Sequence, residues 1–316
     1  MDDDIKFYTL DFELLYILPP YVDKSGYSAV NVTIEMNGVG KLEITFRDDE
    51  LKAKIKKNRD NIMVVWRDFQ GYVKSYMFTE ETNKLFGEHL NGLLKRAVIP
   101  TVETYSYTYK AGYILYNNVL NSVSWLTRDE NLSSCGENIK YSAEKYMTCD
   151  KVVQEINTAA NGGYRIYADI PNEKYIYYYI ERAENNLMLS VENLNIYEPE
   201  ITYENADMAT VGWYEYKLND TTKWQSVTSD SSKTGIHKIE TVLSTNDEDE
   251  AKKELSKCVS VFKLTAKTRS LMHGVDYNIG DIIRIQIDGV TEKLLVSGVN
   301  MWNEKSYGEE PILTEI

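Results

Sequence analysis

Hydrophobic and polar residues alternate with a period of two along much of this chain. Val30, Val32, Ile34 and Met36 alternate with polar partners, and after Asn37-Gly38-Val39-Gly40 the alternation resumes through Leu42, Ile44 and Phe46. Half-buried strands joined by a turn have this pattern. Ile5–Leu10 and Phe12–Leu18 flank Asp11 and stop at Pro19-Pro20. Ile62–Arg67 and Tyr72–Phe78 read as a hairpin around Asp68-Phe69-Gln70-Gly71. Short strands at this spacing predict a small barrel or sandwich.

The period changes within residues 111–190. Gly112–Leu126 suits a helix, and Cys149–Ala160 suits one better, because Val152, Val153, Ile156 and Ala160 share a face. Thr148 stands at its N-cap position and Asn161-Gly162-Gly163 at its stop. Strand Tyr164–Asp169, turn Pro171-Asn172-Glu173 and strand Tyr175–Glu181 complete an α+β insertion. Strands return in 191–316, interrupted by Asn246–Phe262, where acids precede lysines as the helix dipole favours. Ala251, Leu255, Cys258 and Phe262 form a narrow stripe there, and a helix is expected over 246–260. Near the end, Ile282–Ile287 and Glu292–Met301 flank the turn Asp288-Gly289-Val290-Thr291. Asp288 and Gly289 are the hairpin-turn residues, with Gly289 at a position needing φ > 0. Ile283, Ile285 and Ile287 alternate onto one face.

The predicted class is therefore α+β, mainly β. Two small β-barrel-like modules bracket an α+β insertion and a helix-bearing segment. The first module is 1–110, completed by strands around 191–217; the insertion is 111–190; the second module is 191–316.

A length of 316 residues suits two or three compact units. There are 25 Tyr beside 7 Phe, a bias toward strands and toward surfaces that are half-buried or meet a partner. A net charge of −14 argues against tight binding to nucleic-acid phosphates. The strongest basic run, Lys52–Arg59, reads as a solvated helical turn after Asp48-Asp49-Glu50. Asp247–Glu250 lacks the spacing of a calcium loop and reads as an acidic helix start. Cys135, Cys149 and Cys258 are odd in number and lack CxxC spacing, and the histidines are His89, His237 and His273. Neither a disulfide framework nor a zinc site is expected, and no cofactor is implied. The acidic N-terminus is unlike a signal peptide, and no apolar window reaches membrane-spanning length. The expected place of synthesis and folding is a cytoplasm.

No metalloprotease or serine-hydrolase motif occurs. Cys149 has a favourable helix N-terminus but no evident base, so no catalytic residue is assigned. Tyr175, Tyr177 and Tyr179 fall on one strand face, and Trp213, Tyr214, Tyr216 and Trp224 form a second aromatic group. Either set suits a core or subunit contact, and either suits stacking on sugars.

Four segments carry a family resemblance. Gly274-Val275-Asp276-Tyr277-Asn278-Ile279-Gly280-Asp281-Ile282-Ile283, followed by a hairpin and a closing Leu313-Thr314-Glu315-Ile316, resembles the C-terminal end of the siphophage tail-hub family. Asn37–Leu51 is similar to that family's first barrel, His89–Pro100 to its leucine-rich corner, and Asn193–Trp213 to its return strand. The order of the four matches. The resemblance implies a structural tail-tip or baseplate hub protein of a phage, prophage or phage-like particle, and no enzyme. Its implied partners are two further copies in a homotrimer, a distal-tail or tail-tube ring, tail-tip fibre or spike proteins, and DNA that passes without specific binding. Six barrel units from three chains would match a sixfold tail to a threefold tip. The chain ends on the hub's last strand, so the lysin or fibre extension of many relatives is expected to be missing. The implied location is the virion tail tip, assembled in the bacterial cytoplasm. A carbohydrate-binding adhesin is the alternative, and a cell-wall hydrolase is third.

Overall fold

The alternating segments build one large sheet. A computed structural model describes residues 3–20, 25–99, 108–141, 147–204, 208–218, 221–258, 261–287, 289–304 and 306–316. The N-terminal strands are β1 (Ile5–Tyr8), β2 (Leu14–Leu18), β3 (Gly26–Glu35), β4 (Lys41–Arg47), β5 (Met63–Trp66), β6 (Phe69–Phe78) and β7 (Asn83–His89). The sheet runs Ala183–Ser190, Asp281–Ile287, Val290–Asn303, β3, β4, β7, β6, β5, β1, β2, with Tyr307–Thr314 also paired to Val290–Asn303. Val30, Val32, Ile34, Leu42, Ile44 and Phe46 are buried, as their alternation requires.

The ladders are open, which corrects the barrel-like closure expected from sequence. The first seven strands come closest to closing, where β2 reaches β3 through the isolated bridge Pro20↔Tyr27. Proline has no N–H to extend a ladder, and Pro19 O accepting the Tyr27 N–H at 3.1 Å joins the same two ends. Gly26 (φ +111) permits that approach, since a Cβ there would lie 2.6 Å from Pro19 O.

Several elements differ in extent from the periodicity. The β5–β6 turn is only two residues, with Trp66 opposite Phe69 and Arg67 at φ 51, so Phe69–Gly71 are strand rather than loop. Residues 111–122 are helical but change winding from α to π to 3-10 before strand Leu126–Arg128. Helix Cys149–Ala159 forms, with no side-chain cap bond from Thr148. The helix expected over 246–260 spans only Glu248–Leu255; Asp247 caps its N-terminus, and Phe262 lies in strand Val261–Thr268. In the terminal hairpin Ile287 pairs with Val290, leaving Gly289 in the turn at φ +80. Asp288 lies outside the described residues.

By internal contacts the chain gathers into two compact units. One holds residues 1–197 with 267–314, so strands from 5–89, 183–190 and 281–314 share its sheet. The other holds 198–266, where helix Glu248–Leu255 covers a three-stranded sheet over Tyr214, Val227, Ala251 and Leu255.

Within the larger unit, the 111–180 segment shares a core with β5, β6 and the corner after β7: Met63, Tyr72, Leu90, Leu93 and Leu94 pack with Val152, Ile156 and Tyr177. Strand Gly163–Asp169 pairs with Lys174–Ile180 on one edge. Among the described residues its other edge meets no strand ladder, and side-chain amides and one backbone carbonyl bond to it. Asn37 Nδ2 donates to Gly162 O at 2.9 Å, and Tyr164 N donates to Met36 O at 2.9 Å. Asn91 receives the Ile166 N–H at 2.8 Å and donates to Gly38 O and Tyr164 O at 2.9 and 3.4 Å. Gln70 exchanges two bonds with Ala168, at 2.6 and 3.1 Å.

Two substitutions probe these contacts. Asn91→Ala leaves several buried backbone groups without partners and is expected to cost about 3 kcal/mol, read as a lower denaturant midpoint. Gly289→Val meets no neighbouring atom within 4 Å, so its cost is backbone strain alone, about 2 kcal/mol. An unchanged melt for Asn91→Ala would mean that its amide does not hold the strand edge, and an unchanged melt for Gly289→Val would mean that the turn is not left-handed.

Candidate assembly and binding surfaces

The tyrosine stripe lies inside the larger unit. On strand Lys174–Ile180 alternate side chains point inward, and Tyr175, Tyr177 and Tyr179 are buried while Tyr178 is exposed. Each inward ring has a defined seat. Tyr175 donates its hydroxyl to Leu10 O at 2.8 Å and lies against Phe12 and Trp125. Tyr177 stacks on Tyr164 at 5.6 Å, and Asn157 Nδ2 donates to its hydroxyl at 3.0 Å. Tyr179 fits against Gly136 and Gly162, where an added Cβ would lie 2.4 and 2.1 Å from the hydroxyl. Burial holds the Tyr177 phenol well above its ordinary pKa, so it stays neutral.

Trp213 and Trp224 belong to the smaller unit. Trp224 is 51% exposed and Trp213 half-buried, whereas Tyr214, one residue away, is buried. The structure thus divides the second aromatic group between two faces of one sheet.

Cys149 and His89 are enclosed, whereas Cys135, Cys258 and His273 are half-buried and His237 is exposed. Cys149 is fully buried, and burial together with Asp150 pushes its thiol up to about 12. Such a thiol carries almost no thiolate at neutral pH, so the helix N-terminus does not activate it. His89 is also buried, and burial, helped by Arg165, drives its pKa down to about 3. Its Nδ1 accepts the Asn91 N–H at 3.2 Å, and its ring sits edge-on to Phe69. Among the described residues no group of three His, Cys, Asp or Glu side chains is placed to hold a metal. No helix among them is long and apolar enough to cross a membrane.

Among the open grooves of the larger unit, two lie along the sheet that carries β3. One is the outer face of the sheet around β3, a groove of about 510 Å³ lined by Asn31, Thr33, Glu43, Asn300, Trp302 and Glu310. Thr33 Oγ1 donates to Asn300 Oδ1 at 2.8 Å, and Lys84 pairs with Glu43 at 2.8 Å, so the face is polar and internally bonded. The other is a groove of about 870 Å³ beside Trp302, Tyr307, Arg67 and Met272. There the Arg67 guanidinium lies 3.5 Å from the Tyr307 ring centre and pairs with Asp3. Asp68 in the adjoining turn faces His273 at 3.5 Å, and that hydrogen-bonding partner holds its carboxyl below the usual range against the opposing effect of burial.

Sequence reasoning missed Asn37, Gln70 and Asn91 as a group. A trace of Asn91 was visible, since a lone amide inside Leu90-Asn91-Gly92-Leu93-Leu94 has to find partners once buried. The Arg67–Tyr307 stack joins residues too distant in sequence to leave a local trace.

The His89 environment sets a pH dependence. A base whose folded pKa is depressed contributes stability that is present above its unfolded pKa of 6.5 and lost as pH falls toward the folded value near 3. Between pH 6.5 and 5, above the range where carboxylates protonate, stability should fall by up to about 1.4 kcal/mol per pH unit. Denaturant midpoints across that range should fall less steeply in His89→Gln; equal slopes would remove His89 as the cause.

No protein-family model matches the chain, and no curated protein matches its sequence. Solved structures do match its fold. The 43 kDa tail protein of prophage MuSo2 from Shewanella oneidensis superposes with a TM-score of 0.60 at 11% identity, covering 99% of this chain and 98% of that one. A tail protein from Neisseria meningitidis MC58 gives 0.57 at 14% identity, covering 98% and 96%. The prophage tail protein gp18 from Listeria monocytogenes EGD-e gives 0.54 at 12% identity, covering 94% and 90%. The chain therefore has the fold of these prophage tail proteins over nearly its whole length.

Proposed function

We propose that this protein is a non-enzymatic structural hub of the tail tip or baseplate of a phage or phage-like particle. The observation that carries this reading is the end-to-end match in fold to the prophage tail protein of Shewanella oneidensis, 99% of one chain against 98% of the other. A partial match would suit a shared module; a match of this extent suits a shared architectural role. The seating of Cys149 and His89 inside the protein favours a scaffold over a hydrolase.

In this reading three chains form a ring, each giving two β-rich modules (1–110 and 191–316) to a pseudo-sixfold collar, with 111–190 as the insertion. The ring joins a sixfold distal-tail or tail-tube ring to a threefold tip carrying fibre or spike proteins. The polar sheet face around Asn31, Thr33 and Asn300 faces the channel, where Glu43 and Glu310 outnumber the one lining lysine, Lys41, and the nearby Lys84 is held by Glu43. DNA then slides past without being held, because phosphate binding draws on unpaired Lys and Arg that release counterions.

Light scattering and class-averaged images test the assembly. The expected result is a trimer, alone or on mixing with its distal-tail partner, with a ring seen end-on and no DNA retention at low salt. A chain that stays monomeric with that partner, or DNA binding that weakens steeply with added salt, would overturn the proposal.

A further inference from the structure

The chain contains three Asn-Gly pairs, Asn37-Gly38, Asn91-Gly92 and Asn161-Gly162. Far apart in sequence, they meet at the docked edge of strand Gly163–Asp169. Asn91 Nδ2 donates to Gly38 O and Asn37 Nδ2 donates to Gly162 O, each at 2.9 Å. Asn-Gly suits turns because both residues tolerate unusual backbone angles. The same pair is chemically exposed. Glycine carries no side chain to block its own nitrogen from attacking the side-chain carbonyl carbon of the residue before it.

That attack needs a side-chain amide free to turn, a following N–H free to lose its proton, and access of water. Asn91 lacks the first and the last. It is fully buried, and its amide accepts from Ile166 N and donates to Gly38 O and Tyr164 O. Asn161 is exposed but lacks the second. The Gly162 N–H donates to Asn157 O at 2.8 Å where the helix ends, and Asn161 is held left-handed at φ 52. Asn37 differs from both. It is half-buried, its amide bonds only to Gly162 O, and its Oδ1 has no partner among the described residues. The Gly38 N–H likewise has no acceptor among them.

We propose that Asn37 is the site at which the folded protein deamidates spontaneously, with water as co-reactant. Hydroxide removes the Gly38 N–H proton, and the nitrogen bonds to Asn37 Cγ. The Cγ–Nδ2 bond breaks, and ammonia leaves, taking a proton back from water. Water then opens the cyclic imide at either carbonyl, giving aspartate or isoaspartate with nothing oxidised or reduced. Either product loses the donor to Gly162 O and adds a carboxylate near Glu35, whose own carboxylate stands against the Gly38 α-carbon. Isoaspartate also inserts a methylene into the main chain between Met36 O and Gly38 O, the acceptors for Tyr164 N and Asn91 Nδ2. The docked edge therefore loosens as the molecule ages. The inference does not depend on the ring or on DNA passage.

The test incubates the full-length folded protein at mildly alkaline pH and follows each Asn-Gly pair by peptide mapping with mass spectrometry. The expected result is conversion at Asn37 several-fold faster than at Asn91 or Asn161, with a rate that rises with pH and is abolished in Asn37→Gln. In denaturant the three sites should convert at similar rates. Asn37→Asp, which carries the product's charge, should lower the denaturant midpoint and speed hydrogen exchange at Tyr164 and Ile166. Faster conversion at Asn91 or Asn161 in the folded protein would overturn the proposal. So would an unconverted Asn37 after a time in which the denatured chain reacts completely. Unchanged exchange in Asn37→Asp would overturn the loosening of the edge.

Discussion

A strand with one unpaired edge inside a protein has to find partners for its N–H and C=O groups, and the larger unit is built around that constraint. Strand Gly163–Asp169 has a ladder on one side only. On the other side Gln70 and Asn91 offer amides that act as pieces of backbone, each donating and accepting on one planar group, and Asn37 donates to Gly162 O. The three come from the β3–β4 turn, the β5–β6 hairpin and the corner after β7, so a single edge gathers most of the N-terminal strands. The apolar core shared by Met63, Tyr72 and Leu94 with Val152 and Tyr177 depends on this docking, because only a satisfied edge permits the rings to close over it.

Much of the fold was legible because period-two alternation reports burial directly. The strands around Val32, Ile44 and Ile285 follow it, and Tyr175, Tyr177 and Tyr179 sit on the face that alternation assigned them. What escaped was set by tertiary pairing. Phe69-Gln70-Gly71 has turn composition, yet Arg67 at φ 51 turns the chain earlier, and Gln70 is then placed to reach Ala168. The helix after Asp247 stops near Leu255 although Cys258 and Phe262 continue its apolar spacing, since Val261–Thr268 pairs with Ile196–Glu204 instead. Barrel closure is an expectation from the spacing of short strands, and that spacing says nothing about whether the last strand has an N–H to offer the first.

The aromatic residues divide by the same logic. Tyrosines fill the interior, and two of the stripe's hydroxyls have specific partners, Leu10 O for Tyr175 and the Asn157 amide for Tyr177. The two tryptophans of the smaller unit lie on the sheet face opposite Tyr214, with Ser226, Glu215 and Val242 as strand neighbours. From sequence the two sets looked alike, because alternation fixes which residues share a face but not which face the helix covers.

The pairing of β3 with Val290–Asn303 has a consequence for biosynthesis. Thr33 and Asn300 are bonded across 267 residues of chain. At about 5–20 residues per second, a ribosome takes roughly 15–50 s to supply the partner strand after β3 has emerged. During that interval the edge of β3 that pairs with Val290–Asn303 stays open, and the sheet face around Thr33 and Asn300 is unfinished. Completion of the chain thus sets the time at which the sheet becomes whole, since the edge of β3 is covered only when the final hairpin has closed the gap.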